Sequence, residues 1–145
     1  MKLPIFQVDA FTNRVFGGNP AAVVIMDEWL PDKVLQAIAQ ENNLSETAFV
    51  VTRGDAFDLR WFTPTVEVDL CGHATLGSAH VLWEEGIVPE QESISLRAKG
   101  GRLSAGREEE WVRLDFPAIP ASERTFAGST RIIRSGVPCP ASSPP

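Results

Sequence analysis

Cys71-Gly72-His73-Ala74-Thr75-Leu76-Gly77-Ser78-Ala79-His80-Val81-Leu82-Trp83-Glu84-Glu85-Gly86 is the stretch on which the fold of this chain turns. Leu76, Ala79, His80 and Trp83 follow at i, i+3, i+4 and i+7, the spacing of one helical face. The pattern therefore predicts a helix over 72–85 with Gly86 as its C-terminal stop. On this reading His80 packs with Leu76 and Trp83.

Working outward, the flanking segments alternate between strand and turn signals. Residues 4–11 and the run Ala21-Ala22-Val23-Val24-Ile25-Met26 read as buried strands, separated by a turn-rich loop that ends in Gly17-Gly18-Asn19-Pro20. Pro31 suits a first helical turn, Val34, Leu35 and Ile38 follow at helical spacing, and Asn42-Asn43 is a stop, giving an amphipathic helix over 31–42. Residues 46–52 and 56–62 are short β-rich runs joined by Arg53-Gly54-Asp55, a hairpin connection. After the second helix, residues 93–97, 102–105 and 111–116 read as three further strands, with Glu108-Glu109-Glu110 as a solvated turn.

The character changes after Pro120. Residues 121–145 hold four prolines and five serines, with three Arg against one Glu, a composition that does not pack a second domain. That segment carries +2, so the total of -6 leaves -8 on residues 1–120. The expectation is one domain over 1–120 and an irregular tail over 121–145, such as a frameshifted reading frame gives. No internal repeat of the helix-strand unit is present in the sequence.

Bulk properties exclude several functions. The chain has 145 residues, 43% of them hydrophobic and 22% charged, which is globular composition. An acidic chain without a Lys/Arg cluster lacks the concentrated cationic face that nucleic acid or an anionic membrane requires. No apolar run reaches the roughly 18 to 20 residues of a membrane span, and Asp9 interrupts any secretory core, so a cytoplasmic protein is expected. The two cysteines, Cys71 and Cys139, sit in unlike contexts and do not suggest a disulfide.

Three residues have chemistry to offer. Glu46 stands where a loop enters an apolar strand; partial desolvation there raises a carboxyl pKa and makes it a proton carrier near neutral pH. The competing reading is a strand-edge Glu in water or one satisfied by the Ser45 and Thr47 hydroxyls. At Gly72 the missing side chain lets a carboxylate approach the unpaired N–H groups of a helix start, with His73 in the same first turn. His73 either orients a ligand or simply bonds a nearby carbonyl. Cys71, at the same helix start, is either a reactive thiol able to serve a racemase or an inert buried cysteine. His73 and His80 are separated by about 10 Å of helical rise and cannot share an ion, and no dinucleotide or phosphate-loop motif is present. Neither metal nor cofactor is expected.

Taken together, Asp9-Ala10-Phe11-Thr12, Gly18-Asn19-Pro20-Ala21-Ala22-Val23-Val24, Asn43-Leu44-Ser45-Glu46-Thr47-Ala48-Phe49, Phe62-Thr63-Pro64 and Cys71-Gly72-His73-Ala74-Thr75 resemble the phenazine-biosynthesis PhzF-like isomerases. Leu114-Asp115-Phe116-Pro117-Ala118 extends the resemblance, which covers residues 1 to about 120 in the family's order. It implies an α/β (α+β) fold like that of diaminopimelate epimerase, in which a mixed, mostly antiparallel sheet wraps around a central helix. It also implies a second similar domain, absent from this chain, and an active site in the cleft between the two. Glu46 matches the family's proton-transferring glutamate, Gly72 and His73 match substrate-contacting positions, and Ser45 flanks them; no metal or organic cofactor is implied.

The expected function is thus a cofactor-independent isomerase acting on a small carboxylate-bearing substrate, incomplete as an isolated half unless a homodimer places two copies face to face. Two other readings stay open: an amino-acid epimerase or racemase using Cys71, and a non-catalytic truncated or binding module.

Overall fold

The computed structural model describes residues 2–109 and 111–116. Strand β1 (Ile5–Ala10) runs antiparallel to β2 (Asn19–Met26), in a register from Ile5 opposite Val24 to Ala10 opposite Asn19. Gly18 permits the tight return between them, because a Cβ there would stand 2.2 Å from the Ala10 carbonyl oxygen. Helix α1 (Asp32–Asn42), entered through Pro31, ends at Asn43 in the left-handed conformation, whose N–H bonds Ala39 O. That cap turns the chain into β3 (Glu46–Arg53), parallel to β2.

A two-residue turn with Gly54 at φ 64 returns the chain as β4 (Ala56–Phe62), and a two-residue strand, β5 (Glu67–Val68), pairs with its end. The short β5 carries no periodic signal and is not legible in the sequence. Helix α2 (Gly72–Glu84) follows, with Gly86 at φ 66 just beyond it. Strand β6 (Ile94–Ala98) pairs parallel with β4, and β7 (Gly101–Glu108) and β8 (Trp111–Asp115) complete an antiparallel meander.

The sheet order is β1-β2-β3-β4-β6-β7-β8, with β5 on the edge of β4. Helix α2 packs against β1, β2 and β3 from one end of that order and against β8 from the other, so the sheet curls around it. The expected mixed, mostly antiparallel sheet around a central helix is what forms. Helix α1 covers the outer face, where Leu35 and Ala39 pack with Val24, Met26, Phe49, Val51 and Phe62. With both faces of β3 covered, Thr47-Ala48-Phe49-Val50-Val51 is buried without alternation.

Enclosure of α2 corrects the reading of its face. His73, Ala74, Thr75, Gly77, Ser78, Ala79, Val81, Leu82 and Trp83 are all buried, whereas His80 is exposed and Leu76 only half-buried. His80 therefore does not pack into the core. The open strip runs Gly72, Leu76, His80 and Glu84, an i+4 series along the gap the sheet leaves. Small residues serve the close packing: Gly77 lies against Val8 and Val23. The buried hydroxyls of Thr75 and Ser78 donate to Cys71 O and Ala74 O, which removes their desolvation cost.

On the outer side, the Arg60 guanidinium forms a bidentate pair with Glu67, reaches Asp32 on α1, and lies over the rings of Trp29 and Phe62. The Glu67 hydrogen bonds hold its charge firmly, pushing its pKa further up. The tail boundary at 120 falls outside the described residues.

Candidate functional site

Three donors from two elements meet at the start of α2. Glu46 is the first residue of β3, and its register opposite Ala21 of β2 sets it at one end of the sheet. Cys71 is the N-cap of α2 and His73 lies in the first turn, so the helix brings both side chains to that end. One His73 nitrogen, Nδ1, is 3.3 Å from Cys71 Sγ; the other, Nε2, is 3.3 Å from Glu46 Oε2. The imidazole thus stands between thiol and carboxylate.

These contacts are not equivalent. Glu46 Oε2 and His73 Nε2 are both buried and lie at ion-pair distance, yet among the described residues neither completes a hydrogen bond, because the pair is close but not aligned. Side-chain exposure is 20% for Glu46 and 9% for His73, so water offers little compensation. Two buried polar atoms side by side without partners make this the least satisfied polar spot of the described core.

Burial pushes the Cys71 thiol pKa above its ordinary value, against the pull of the Ala74 N–H; the nearby Glu46 charge adds to the rise and the His73 N–H opposes it. The thiol therefore keeps its proton at neutral pH. A thiol that donates to Nδ1 leaves the ring proton on Nε2, which faces Glu46.

Among the described residues no side chain forms a capping hydrogen bond at the N-terminus of α2, although the Cys71 sulfur lies near the Ala74 and His73 backbone N–H groups. Among the described residues a Cβ on Gly72 would meet only Phe116 Cζ, at 3.7 Å, an ordinary contact, so the bare position does not relieve a clash. Ser45 is exposed, and its hydroxyl donates to Pro20 O at 3.1 Å and approaches Asn19 Oδ1 at 3.4 Å. Sequence reasoning read Asn19-Pro20 only as a turn and missed that it anchors Ser45; nor did it place Phe116 beside Gly72. Neither relation has a local signal, since each pairs residues far apart in the chain.

The family model for phenazine biosynthesis-like proteins, PhzC-PhzF, matches residues 8–133. The chain belongs to the PhzC-PhzF family. The match runs past residue 120 and takes in the first part of the tail. An uncharacterized isomerase of Pseudomonas aeruginosa is 54% identical over 130 residues, covering 90% of this chain and 48% of that protein. The chain thus spans about half the length of the curated relatives it matches.

Among solved structures, a PhzF-family protein of Enterococcus faecalis superposes with a TM-score of 0.77 at 51% identity, over 82% of this chain and 45% of that one. A predicted epimerase of Pseudomonas aeruginosa gives a TM-score of 0.66 at 26% identity, over 77% and 41%. The PhzC-PhzF fold and its isomerase and epimerase relatives agree with the architecture expected from the sequence. Among the described residues no helix is long and apolar enough to cross a membrane.

Proposed function

We propose that this PhzC-PhzF chain supplies one wall of an isomerase active site in which Glu46 moves a proton on a small carboxylate-bearing substrate. The observation that carries the reading is the pair of buried atoms without a hydrogen-bond partner among the described residues, Glu46 Oε2 and His73 Nε2, at the start of α2. The helix N-terminus beside Gly72 attracts the substrate carboxylate, His73 Nε2–H offers it a donor, and Glu46 takes a proton from one carbon and returns it to another. Ser45 flanks the entry from the β2–β3 side. Such a transfer needs no metal or organic cofactor, and a cytoplasmic location is part of the same reading.

The chain spans about half the length of its relatives, and this reading calls for an opposing wall to complete the cleft. A facing copy in a homodimer is one source of it. Cys71 as the base of a racemase is the second reading, favoured by its position beside His73. Its raised pKa disfavours it, since a thiol that holds its proton is a poor base.

The deciding experiment follows solvent-deuterium incorporation into candidate carboxylates with the wild type, Glu46→Gln and Cys71→Ser. Incorporation that falls by about 10² to 10⁴-fold in Glu46→Gln and survives in Cys71→Ser supports the assignment. The reverse pattern selects the racemase, and undiminished exchange in Glu46→Gln removes Glu46 from the mechanism.

A further inference from the structure

Glu46 Oε, Cys71 Sγ and a His73 ring nitrogen lie within 4.8 Å of one another. They are three different donor types, a carboxylate, a thiol and an imidazole, delivered by the start of β3 and the first turn of α2. We propose that these three residues form a binding site for a thiophilic divalent cation of the Zn²⁺ class, whose occupancy withdraws Glu46 from proton transfer.

Geometry is the first support. Three atoms no more than 4.8 Å apart leave a point within about 2.8 Å of all of them, against bonds of about 2.3 Å for zinc–sulfur and about 2.0 to 2.2 Å for nitrogen and oxygen. Side-chain rotations of well under an ångström close that difference. The second support is independent: His73 Nε2 and Glu46 Oε2 are buried and unpartnered, so a cation there displaces no existing hydrogen bond of either atom.

Donor chemistry is the third support. Thiolate, imidazole and carboxylate together carry two negative charges, which match a divalent ion and outweigh the partial positive charge at the helix start. On binding, the Cys71 S–H proton passes to His73 Nδ1, 3.3 Å away, the Nε2 proton leaves to solvent, and sulfur–metal and nitrogen–metal bonds form, with no change in oxidation state. Three protein donors leave a fourth position open. The family resemblance does not suggest such a site, and the sequence hides it, because Glu46 and Cys71 are 25 positions apart.

The inhibitory part of the inference rests on Glu46 as proton carrier; the binding part does not. The test uses the full chain carrying Cys139→Ser, titrated with Cd²⁺ while the ultraviolet thiolate-to-metal charge-transfer band is followed, and with Zn²⁺ by equilibrium dialysis. The expected result is one cation per chain with the band present, and about 100-fold weaker binding with no band when Cys71→Ser is added. Should that variant fold poorly, Glu46→Gln is expected to bind Zn²⁺ about tenfold more weakly. A missing band in the Cys139→Ser chain, a band that persists without Cys71, or equal affinity in Glu46→Gln overturns the site. Absence of binding leaves Glu46 as proton carrier untouched, whereas stoichiometric binding with undiminished exchange overturns the inhibitory role and counts against Glu46.

Discussion

His73 Nε2 lies 3.3 Å from Glu46 Oε2, both buried and neither hydrogen-bonded among the described residues. His73→Phe keeps a ring and removes the unpartnered Nε2, but it also takes away the Nδ1 partner of the buried Cys71 thiol, so stability is expected to fall by no more than about 1 to 2 kcal/mol. Its affinity for small carboxylates should fall by about tenfold or more. Urea unfolding and ligand titration check the two halves, and a large stability loss without any loss of affinity would make His73 a structural residue only.

Cys71 links the site to alkaline pH. Its folded-state pKa is raised above the unfolded value, chiefly by burial, so the native state binds the proton more tightly. The resulting stability is fully present below the ordinary thiol pKa and is lost as pH rises through it towards the folded value. Thermal unfolding of the wild type should decline more steeply above about pH 9 than that of Cys71→Ala. Iodoacetamide should likewise label Cys71 slowly at neutral pH.

Gly72 and Gly18 are expected to respond oppositely to Ala. At Gly72 the added Cβ makes an ordinary contact with Phe116, so the fold should persist within about 0.5 kcal/mol while the methyl group narrows the approach to the helix start. At Gly18 the same methyl group runs into Ala10 O and the backbone must move, at a cost of about 2 kcal/mol. Denaturation curves of both variants, with ligand affinity for Gly72→Ala, distinguish a binding position from a packing one.

Arg60 ties β4 to β5 through Glu67 and to α1 through Asp32, and covers Trp29 and Phe62. Arg60→Ala removes a bidentate pair and two cation–π contacts at a partly exposed site, with an expected loss of about 1 to 2 kcal/mol. The loss should shrink in Asp32→Asn/Glu67→Gln, and a double-mutant cycle measures that coupling.

Local sequence was enough for every element but the two-residue β5: hydrophobic runs with turn glycines set the strands, Pro31 and Asn43 bracket α1, and Gly72 and Gly86 bracket α2. It also nominated Glu46, Gly72 and His73, because a carboxylate at a strand entrance and a bare helix start are local features. Their roles came from the family resemblance. Which face of α2 is open follows from packing alone. Helical spacing placed His80 with Leu76 and Trp83, but spacing reports a face of constant burial only when one surface covers the helix. Here the curled sheet covers nearly all of it and leaves the strip of Gly72, Leu76, His80 and Glu84. The approach of Glu46 to Cys71 and His73 belongs to the same level, since it depends on where the parallel β2–β3 register ends relative to the first turn of α2. Contacts between distant segments are fixed by packing, and packing leaves no periodic trace in either segment.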